Sequence, residues 1–203
     1  MVRTQMQVVS KQDFIDAVDQ ATDGGAVAVA LTDLDGFGPL NDEFGHEAGD
    51  LVLTAWNKTL VGSLPKTAIV RRIGGDEYAV ALPNNSAENA LILLDEVRQH
   101  LAAHPIEGLD RIVTATFGIA ARPPHASATD DVVRCADAAL MRGKRLGGNQ
   151  VALYVEEKMV LKSNYYPRSD LDRLGRIAGS TSRTEASLLR EALDDLMEKY
   201  RTQ

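Results

Sequence analysis

An unbroken apolar run, Ala26 to Leu31, constrains the fold of this chain more than any other stretch of its sequence. Gly24-Gly25 precede the run and Asp33 follows it, and such residues usually end a regular element. A short run that is apolar at every position is typical of a strand buried on both faces. The chain therefore needs helices that cover a sheet built around this strand.

Helical and strand patterns alternate along the rest of the first 155 residues. The predicted helices cover residues 10–21, 51–61, 89–101 and 130–141, and the further predicted strands cover residues 68–72, 78–82, 111–120 and 150–155. Gly74-Gly75 separates the first two of these strands and indicates a hairpin, because glycine accepts the positive φ of a tight primed turn. A single hairpin among crossover connections predicts a mixed sheet with helices packed against it, an α/β sandwich of ferredoxin-like type.

The charge of the chain is divided unevenly between two regions. Residues 158–203 hold nine Lys or Arg and seven Asp or Glu, which leaves 13 basic and 22 acidic residues for residues 1–157. The body thus has a net charge of −9 and the tail one of +2. An acidic body needs metal ions or phosphate-binding loops to hold an anion, whereas a basic tail can lie near a polyanion.

The sequence carries no sign of a membrane segment or of secretion. No apolar run approaches the roughly 20 residues of a membrane span, and the first ten residues lack the layout of a signal peptide. We therefore expect a cytoplasmic protein that does not enter a membrane.

Acidic side chains follow the buried strand and the glycine pair. Asp33 comes just after the apolar run, and Asp76 and Glu77 follow Gly74-Gly75, so both sets can meet at one end of the sheet. Clustered carboxylates repel each other unless a cation neutralises them, and Mg²⁺ combines a few carboxylates with substrate phosphates. This pattern predicts a nucleoside triphosphate site, with capping and turn roles for the same acids as the alternative.

Four ordered stretches between residues 33 and 149 resemble the motifs of GGDEF domains. They read DLDGFGPLNDEFGHEAGD (33–50), RRIGGDEYAVALP (71–83), TFGIA (116–120) and ADAALMRGKRLGGN (136–149). The resemblance implies the cyclase-like mixed sheet of that family, which is related to the polymerase palm. It also implies that two GTP are converted to cyclic di-GMP across a symmetric homodimer.

The resemblance assigns catalytic and metal-binding roles at the acidic end. Asp33 and Asp76 would bind Mg²⁺ or Mn²⁺, and the carbonyl of Leu34 would assist. Glu77 would activate the attacking 3′-hydroxyl as a base, or hold a second metal ion.

The same resemblance assigns the nucleotide contacts. Asn41 and Asp50 would bind the guanine edge, since a carboxylate accepts hydrogen bonds from the N1 and N2 donors of guanine. Lys144 would contact the triphosphate. The remaining nucleotide-binding positions of the motifs are Phe37, Gly74 and Gly75.

Two cationic positions of the family pattern are missing here. Gly38 stands where a lysine is usual, and Gly148 stands where the pattern has arginine. Each charge-assisted contact contributes on the order of 1.5–3 kcal/mol, so GTP binding is weakened unless Arg142 or Arg145 compensates. An inactive domain that senses GTP or cyclic di-GMP is therefore the alternative to an active cyclase, and a vestigial dimer scaffold is a third reading.

A second resemblance covers about residues 160–200, which are similar to a ribbon-helix-helix DNA-binding domain. We place the boundary between a nucleotide domain at 1–156 and this tail at 157–203. A predicted strand at 158–166 would pair with its twin in a homodimer, and the ribbon would enter the major groove of double-stranded DNA. A dimerisation hairpin without DNA binding is the alternative.

The register of the tail strand decides which side chains face DNA. Periodicity turns Lys162 and Asn164 outward, whereas counting back from Pro167 as the helix start turns Leu161, Ser163 and Tyr165 outward instead. The polar chemistry of Lys162 and Asn164 favours the first register. Ser182 has capping-box spacing to the next helix, and Thr184 is the alternative cap. Together these features predict a transcriptional regulator tied to GTP or cyclic di-GMP.

Overall fold

The computed structural model describes residues 7–156, 165–181 and 183–200. The chain divides into two compact units, Met1–Glu157 and Lys158–Gln203. The described residues of the first unit include a five-stranded sheet, and those of the second include two helices.

The first unit is an α/β sandwich. Its helices are α1 (Lys11–Thr22), α2 (Phe37–Phe44), α3 (His46–Ser63), α4 (Ala87–Ala103) and α5 (Thr129–Arg145). Its strands are β1 (Val27–Leu34), β2 (Ile69–Arg72), β3 (Glu77–Pro83), β4 (Ala115–Arg122) and β5 (Val151–Leu153). The strand order is β2-β3-β1-β4-β5, with β4 and β5 parallel and every other pair antiparallel. The predicted mixed sheet with packed helices is confirmed.

Strand β1 is central to the sheet and is buried on both faces. Ala28 and Ala30 face a cluster built with α3 and α4, which includes the fully buried Trp56. Val27 and Val29 face a second cluster built with α1 and α5. The apolar run therefore lies where its composition predicts, and the strand continues to Leu34 at the candidate site.

Helix α1 begins and ends as its sequence indicates. Ser10 forms a capping box with Asp13: the Asp13 N–H donates to Ser10 Oγ at 3.1 Å, and the Ser10 N–H donates to Asp13 Oδ2 at 3.0 Å. This pairing lowers the pKa of Asp13 through hydrogen bonds from Ser10. The helix ends at Asp23 and Gly24, both with positive φ.

The structure differs from the sequence expectation at helix α2 and at the β2–β3 turn. Helix α2 was not predicted, because Gly36, Pro39 and Gly45 are residues that usually indicate a loop. The two glycines, with φ of 67° and 82°, lie at the two ends of the helix, and no side chain caps its N-terminus. The β2–β3 hairpin forms, yet neither Gly74 nor Gly75 has a positive φ. The primed turn expected from that glycine pair was therefore wrong.

The described part of the second unit consists of α6 (Arg168–Thr181) and α7 (Glu185–Tyr200), which pack on each other. Thr184 caps α7 by accepting from the Ser187 N–H at 3.1 Å. The alternative cap, Ser182, lies outside the described residues, as does most of the predicted tail strand.

Many of the large apolar side chains on α6 and α7 are exposed. Ala178 is buried. The exposed large apolar side chains of the two helices are Leu171, Ile177, Leu189, Leu193, Leu196, Met197 and Tyr200. Among the helices of the described residues, none combines the length and the apolar character needed to cross a bilayer.

Candidate functional site

Strands β1 and β3 bring the predicted acidic residues to one end of the sheet. Asp33, near the end of β1, lies directly opposite Glu77, the first residue of β3. On its other side Asp33 is opposite Thr116 of β4, and buried Leu34 is opposite Ala115. Because β1 and β3 are antiparallel, the end of one strand meets the start of the other.

The hairpin loop before Glu77 is held by an arginine that the sequence reasoning missed. Nε of Arg72 donates to the carbonyl oxygens of Gly74 and Gly75, at 3.1 Å in both cases. A Cβ at position 74 would lie 2.6 Å from Oε2 of Glu77 and 3.2 Å from its Cβ, so a larger residue there would displace the Glu77 side chain. The glycine therefore allows the Glu77 carboxylate to lie close to the loop backbone.

Asp76 sits in an electrostatically unfavourable position for a carboxylate. Its pKa is raised above the ordinary value of 3.8 mainly by burial, and next by the nearby charge of Asp33. The charge of Glu77 raises this pKa further, whereas Lys144 lowers it. A cation bound between Asp33 and Asp76 would relieve this repulsion.

Lys144 of α5 already places one positive charge at this end of the sheet. Its ammonium forms an ion pair with Asp33 and lies 3.4 Å from Oδ1 of Asp35. The three side chains are 29%, 22% and 19% exposed, so the pairs are only partly screened by solvent.

Asp35 is a second residue that the sequence reasoning left without a role. Its carboxylate accepts from Oγ1 of Thr114 at 2.8 Å, from Oγ1 of Thr116 at 2.6 Å and from the backbone N–H of Asn149 at 2.8 Å. These donors come from β4, from the residue before it and from the loop after α5. Asp35 therefore fixes the loop after α5 against the end of β1.

Helices α2 and α3 carry Asn41 and Asp50, the two residues expected to bind guanine. Oδ1 of Asn41 is buried and has no hydrogen-bond partner. Gly49 faces it so closely that a Cβ there would overlap this amide oxygen and come within 3.3 Å of the Phe37 ring. Asp50, the next residue on α3, is half-buried. A buried acceptor without a hydrogen-bond partner suits a ligand that presents hydrogen-bond donors.

The acidic end has ligands suited to Mg²⁺ or Mn²⁺. Within the described residues, no three acidic, histidine or cysteine side chains are arranged to hold a metal ion as they stand. Mg²⁺ nevertheless needs only one or two carboxylates when water and substrate phosphates supply the other oxygens. Asp33 and Asp76, which already interact, fit that requirement.

The two missing cations differ in their surroundings. Gly38 lies on the exposed side of α2, and a Cβ there would meet nothing within 4 Å. Gly148 has a φ of 72°, and a Cβ there would lie 2.9 Å from Oδ1 of Asp35. Of the proposed substitutes, Arg142 donates to the carbonyl of Leu153 at 2.6 Å, whereas Arg145 is exposed.

The predicted DNA-facing residues lie mostly beyond the described part of the chain. Lys162, Ser163 and Asn164 fall outside the described residues, and Tyr165 is fully exposed.

Comparisons with known proteins agree on the first unit. Residues 8–150 match the family described as diguanylate cyclase, GGDEF domain. The diguanylate cyclase DgcP of Pseudomonas aeruginosa is 37% identical over 131 residues, which are 64% of this chain and 19% of DgcP. The chain thus spans about a fifth of that relative.

Two solved structures are similar in sequence and in fold. The GGDEF domain of PA1120 (YfiN or TpbB) from Pseudomonas aeruginosa is 30% identical with a TM-score of 0.69, over 74% of this chain and 99% of that domain. The GGDEF domain of DgcB from Caulobacter crescentus, solved in complex with c-di-GMP, is 26% identical with a TM-score of 0.66, over 75% and 92% of the two chains.

Proposed function

Since the chain belongs to the GGDEF family of diguanylate cyclase domains, we propose that it binds GTP with Mg²⁺ or Mn²⁺ and converts two GTP into cyclic di-GMP and two pyrophosphates. The observation that carries this proposal is the pairing of Asp33 with Glu77 across β1 and β3, with the electrostatically strained Asp76 beside them. An acidic end with this arrangement is suited to a metal-bound triphosphate.

The acidic residues divide the chemical work. Asp33, Asp76 and the Leu34 carbonyl would hold the metal ion, which would supply positive charge to offset the negative charge of the triphosphate during attack on the α-phosphate. Glu77 accepts the proton of the 3′-hydroxyl as the new bond from this oxygen to the α-phosphorus of the other nucleotide forms. The bond from that phosphorus to pyrophosphate breaks, and the pyrophosphate leaves with its electron pair. Gly74 and Gly75 let the phosphates approach the loop.

Guanine binds at the α2–α3 pair. Asn41 supplies its unpartnered oxygen to a donor of the base, and Asp50 accepts from the neighbouring N–H groups. Gly49 leaves room for the Asn41 amide and for the Phe37 ring, since a Cβ there would overlap the amide oxygen and come within 3.3 Å of the ring.

The triphosphate is held by one lysine and by backbone groups. Lys144 is the cation that the described site offers, and the first turn of α2 presents free N–H groups after Gly36. Because Gly38 and Gly148 supply no charge, GTP binds more weakly than it would with the full family pattern.

The experiment for this function is to incubate the full chain with GTP and Mg²⁺ and to look for cyclic di-GMP by chromatography. Glu77→Gln should abolish the product without changing the thermal melting curve. Glu88→Gln is the matched control, since Glu88 is an exposed acid just beyond the opposite end of β3. Equal loss in both variants would contradict the role of Glu77.

A second candidate function is a nucleotide sensor without turnover, which the glycines at 38 and 148 favour. It predicts that GTP or cyclic di-GMP binds in a calorimetric titration while no product forms. A chain that binds neither nucleotide would leave only a dimer scaffold.

The tail adds a ribbon-helix-helix module that joins two chains and binds double-stranded DNA in the major groove. Its support is the pair α6 and α7, which together leave a row of apolar side chains exposed, a surface that a second copy of the chain can bury. A symmetric dimer also brings together the two GTP sites that the cyclase reaction needs. In this arrangement the nucleotide controls DNA binding, so the protein acts as a transcriptional regulator.

Sedimentation of the full chain tests the dimer. Leu193→Glu, at an exposed position of α7, should yield monomers with an unchanged circular dichroism spectrum. Selection from random duplex DNA tests the proposed DNA contacts of the tail. Lys162→Ala and Asn164→Ala should weaken the selected complex if the first register holds. Ser163→Ala and Tyr165→Ala should weaken it if the second register holds. Wild-type protein that enriches no sequence and binds no duplex would remove the DNA-binding role.

A further inference from the structure

Lys144 lies on the carboxylate that the proposed function assigns to the metal ion. Its ammonium pairs with Asp33, while Asp35 offers a second carboxylate oxygen 3.4 Å away. The lysine therefore stands where its charge offsets the repulsion between Asp33 and Asp76. In this respect the ammonium group neutralises part of the charge that a bound metal ion would neutralise.

The ammonium and a divalent cation compete for Asp33. If both were bound to one carboxylate, a single and a double positive charge would lie within a few ångströms of each other at a partly buried site, where such charges repel strongly. Binding of a metal ion at Asp33 therefore requires Lys144 to give up or weaken its contact there.

Asp35 keeps the displaced lysine near the site. It is fixed by the two threonine hydroxyls and by the Asn149 N–H, so it remains in place when Asp33 takes a new partner. From Asp35 the long side chain of Lys144 can turn to the phosphates of an incoming nucleotide.

We propose that Lys144 is an internal stand-in for the metal ion, which holds Asp33 until a nucleotide draws the ammonium away. Metal and nucleotide binding are then coupled through this one side chain, and the coupling is reciprocal. This inference rests on the proposed function, because it assumes that the acidic end takes a metal-bound nucleotide.

The test is a titration of the full chain with Mn²⁺, with free Mn²⁺ followed by electron paramagnetic resonance. It is run without nucleotide and with a saturating GTP analogue that carries a methylene group between the α- and β-phosphates. Mn²⁺ bound by the analogue itself is subtracted with a protein-free titration. Lys144→Met should bind Mn²⁺ about fivefold more tightly than wild type without nucleotide, a factor typical of losing one partly exposed ion pair. With the analogue present this advantage should disappear or reverse.

Two further variants separate the effect from general electrostatics and from misfolding. Lys58→Met, an exposed lysine of α3, removes the same charge and should behave like wild type in both titrations. Lys144→Arg keeps a cation beside Asp33 and should restore the wild-type difference between the two conditions.

An unchanged or lower Mn²⁺ affinity of Lys144→Met without nucleotide would overturn the proposal, provided that wild type binds Mn²⁺ with the analogue. If wild type binds no Mn²⁺ even with the analogue, both this proposal and the proposed metal-dependent function fail. The two failures are therefore distinguished by the wild-type titration alone.

Discussion

Restoring the lysine that is missing at position 38 should strengthen nucleotide binding. Gly38 is the second residue of α2, a Cβ at this position would meet nothing within 4 Å, and its φ lies outside the left-handed region. A side chain can therefore be added there without strain. The family resemblance implies that a lysine side chain at position 38 would contact the triphosphate.

The magnitude follows from two separate contributions. A charge-assisted contact to phosphate is worth about 1.5–3 kcal/mol, and the exposure of the position favours the lower end, or roughly a tenfold change in Kd. Replacing glycine in a helix adds about 0.5–1 kcal/mol of folding stability whichever good helix former is chosen. Only the first contribution depends on charge.

Calorimetric titration of the non-reacting GTP analogue with Mg²⁺ measures the first contribution, and thermal melting measures the second. Gly38→Ala is the matched control, because it gains helix stability without a charge. We expect Gly38→Ala and Gly38→Lys to melt at similar temperatures above wild type, with tighter binding in the lysine variant alone. The advantage should shrink in high salt. Equal Kd values for the two variants would refute the claim that position 38 faces the phosphates.

Three further predictions concern the packing and charges of the first unit. Gly49→Ala should displace the Asn41 amide and reduce guanine nucleotide affinity in calorimetry by about tenfold or more, whereas Gly62→Ala, in open space on the same helix, should bind normally and melt higher. Arg122→Ala should cost about 2–3 kcal/mol in urea unfolding, because this 6% exposed side chain bonds to α1, to the Gly25 carbonyl and to α5; an unchanged midpoint would contradict this. Without metal, Asp76→Asn should raise the melting temperature at neutral pH, because the raised pKa means that the ionised carboxylate is less favourable in the folded chain than in the unfolded one. That gain should vanish below about pH 3.8, where the acid is protonated in both states.

Much of the fold could be predicted because its signals are local. The apolar run at 26–31 and the glycine pair at 74–75 each determine an element through neighbouring residues. Helix α2 could not be predicted in the same way: its ends depend on glycine backbone angles, and its eight residues bury only Leu40. A short helix of this kind gives almost no periodic signal.

The site was predictable in its residue types and not in its contacts. The spacing of Asp33, Asp76 and Glu77 indicates a common end of the sheet, and antiparallel pairing brings it about. The partners of Asp35, by contrast, are 79 to 114 positions away in the sequence, so that no local pattern reveals them. Arg72 is close in sequence to the loop carbonyls that it binds, but this contact depends on the path of the loop backbone. The loop does not have the positive φ values that its glycine pair predicts, so its path could not be derived from the sequence.

The two departures from the family pattern are different in kind. Gly38 is an open position at which a lysine can simply be added. Gly148 combines a left-handed φ with contact to Asp35, and Asp35 in turn holds the neighbouring Asn149 N–H and lies beside Lys144. An arginine at 148 would strain the loop and push on the carboxylate that anchors the lysine. The missing cation at position 148 is thus linked to Lys144 through Asp35, the carboxylate that lies 2.9 Å from a Cβ built at 148 and 3.4 Å from the Lys144 ammonium.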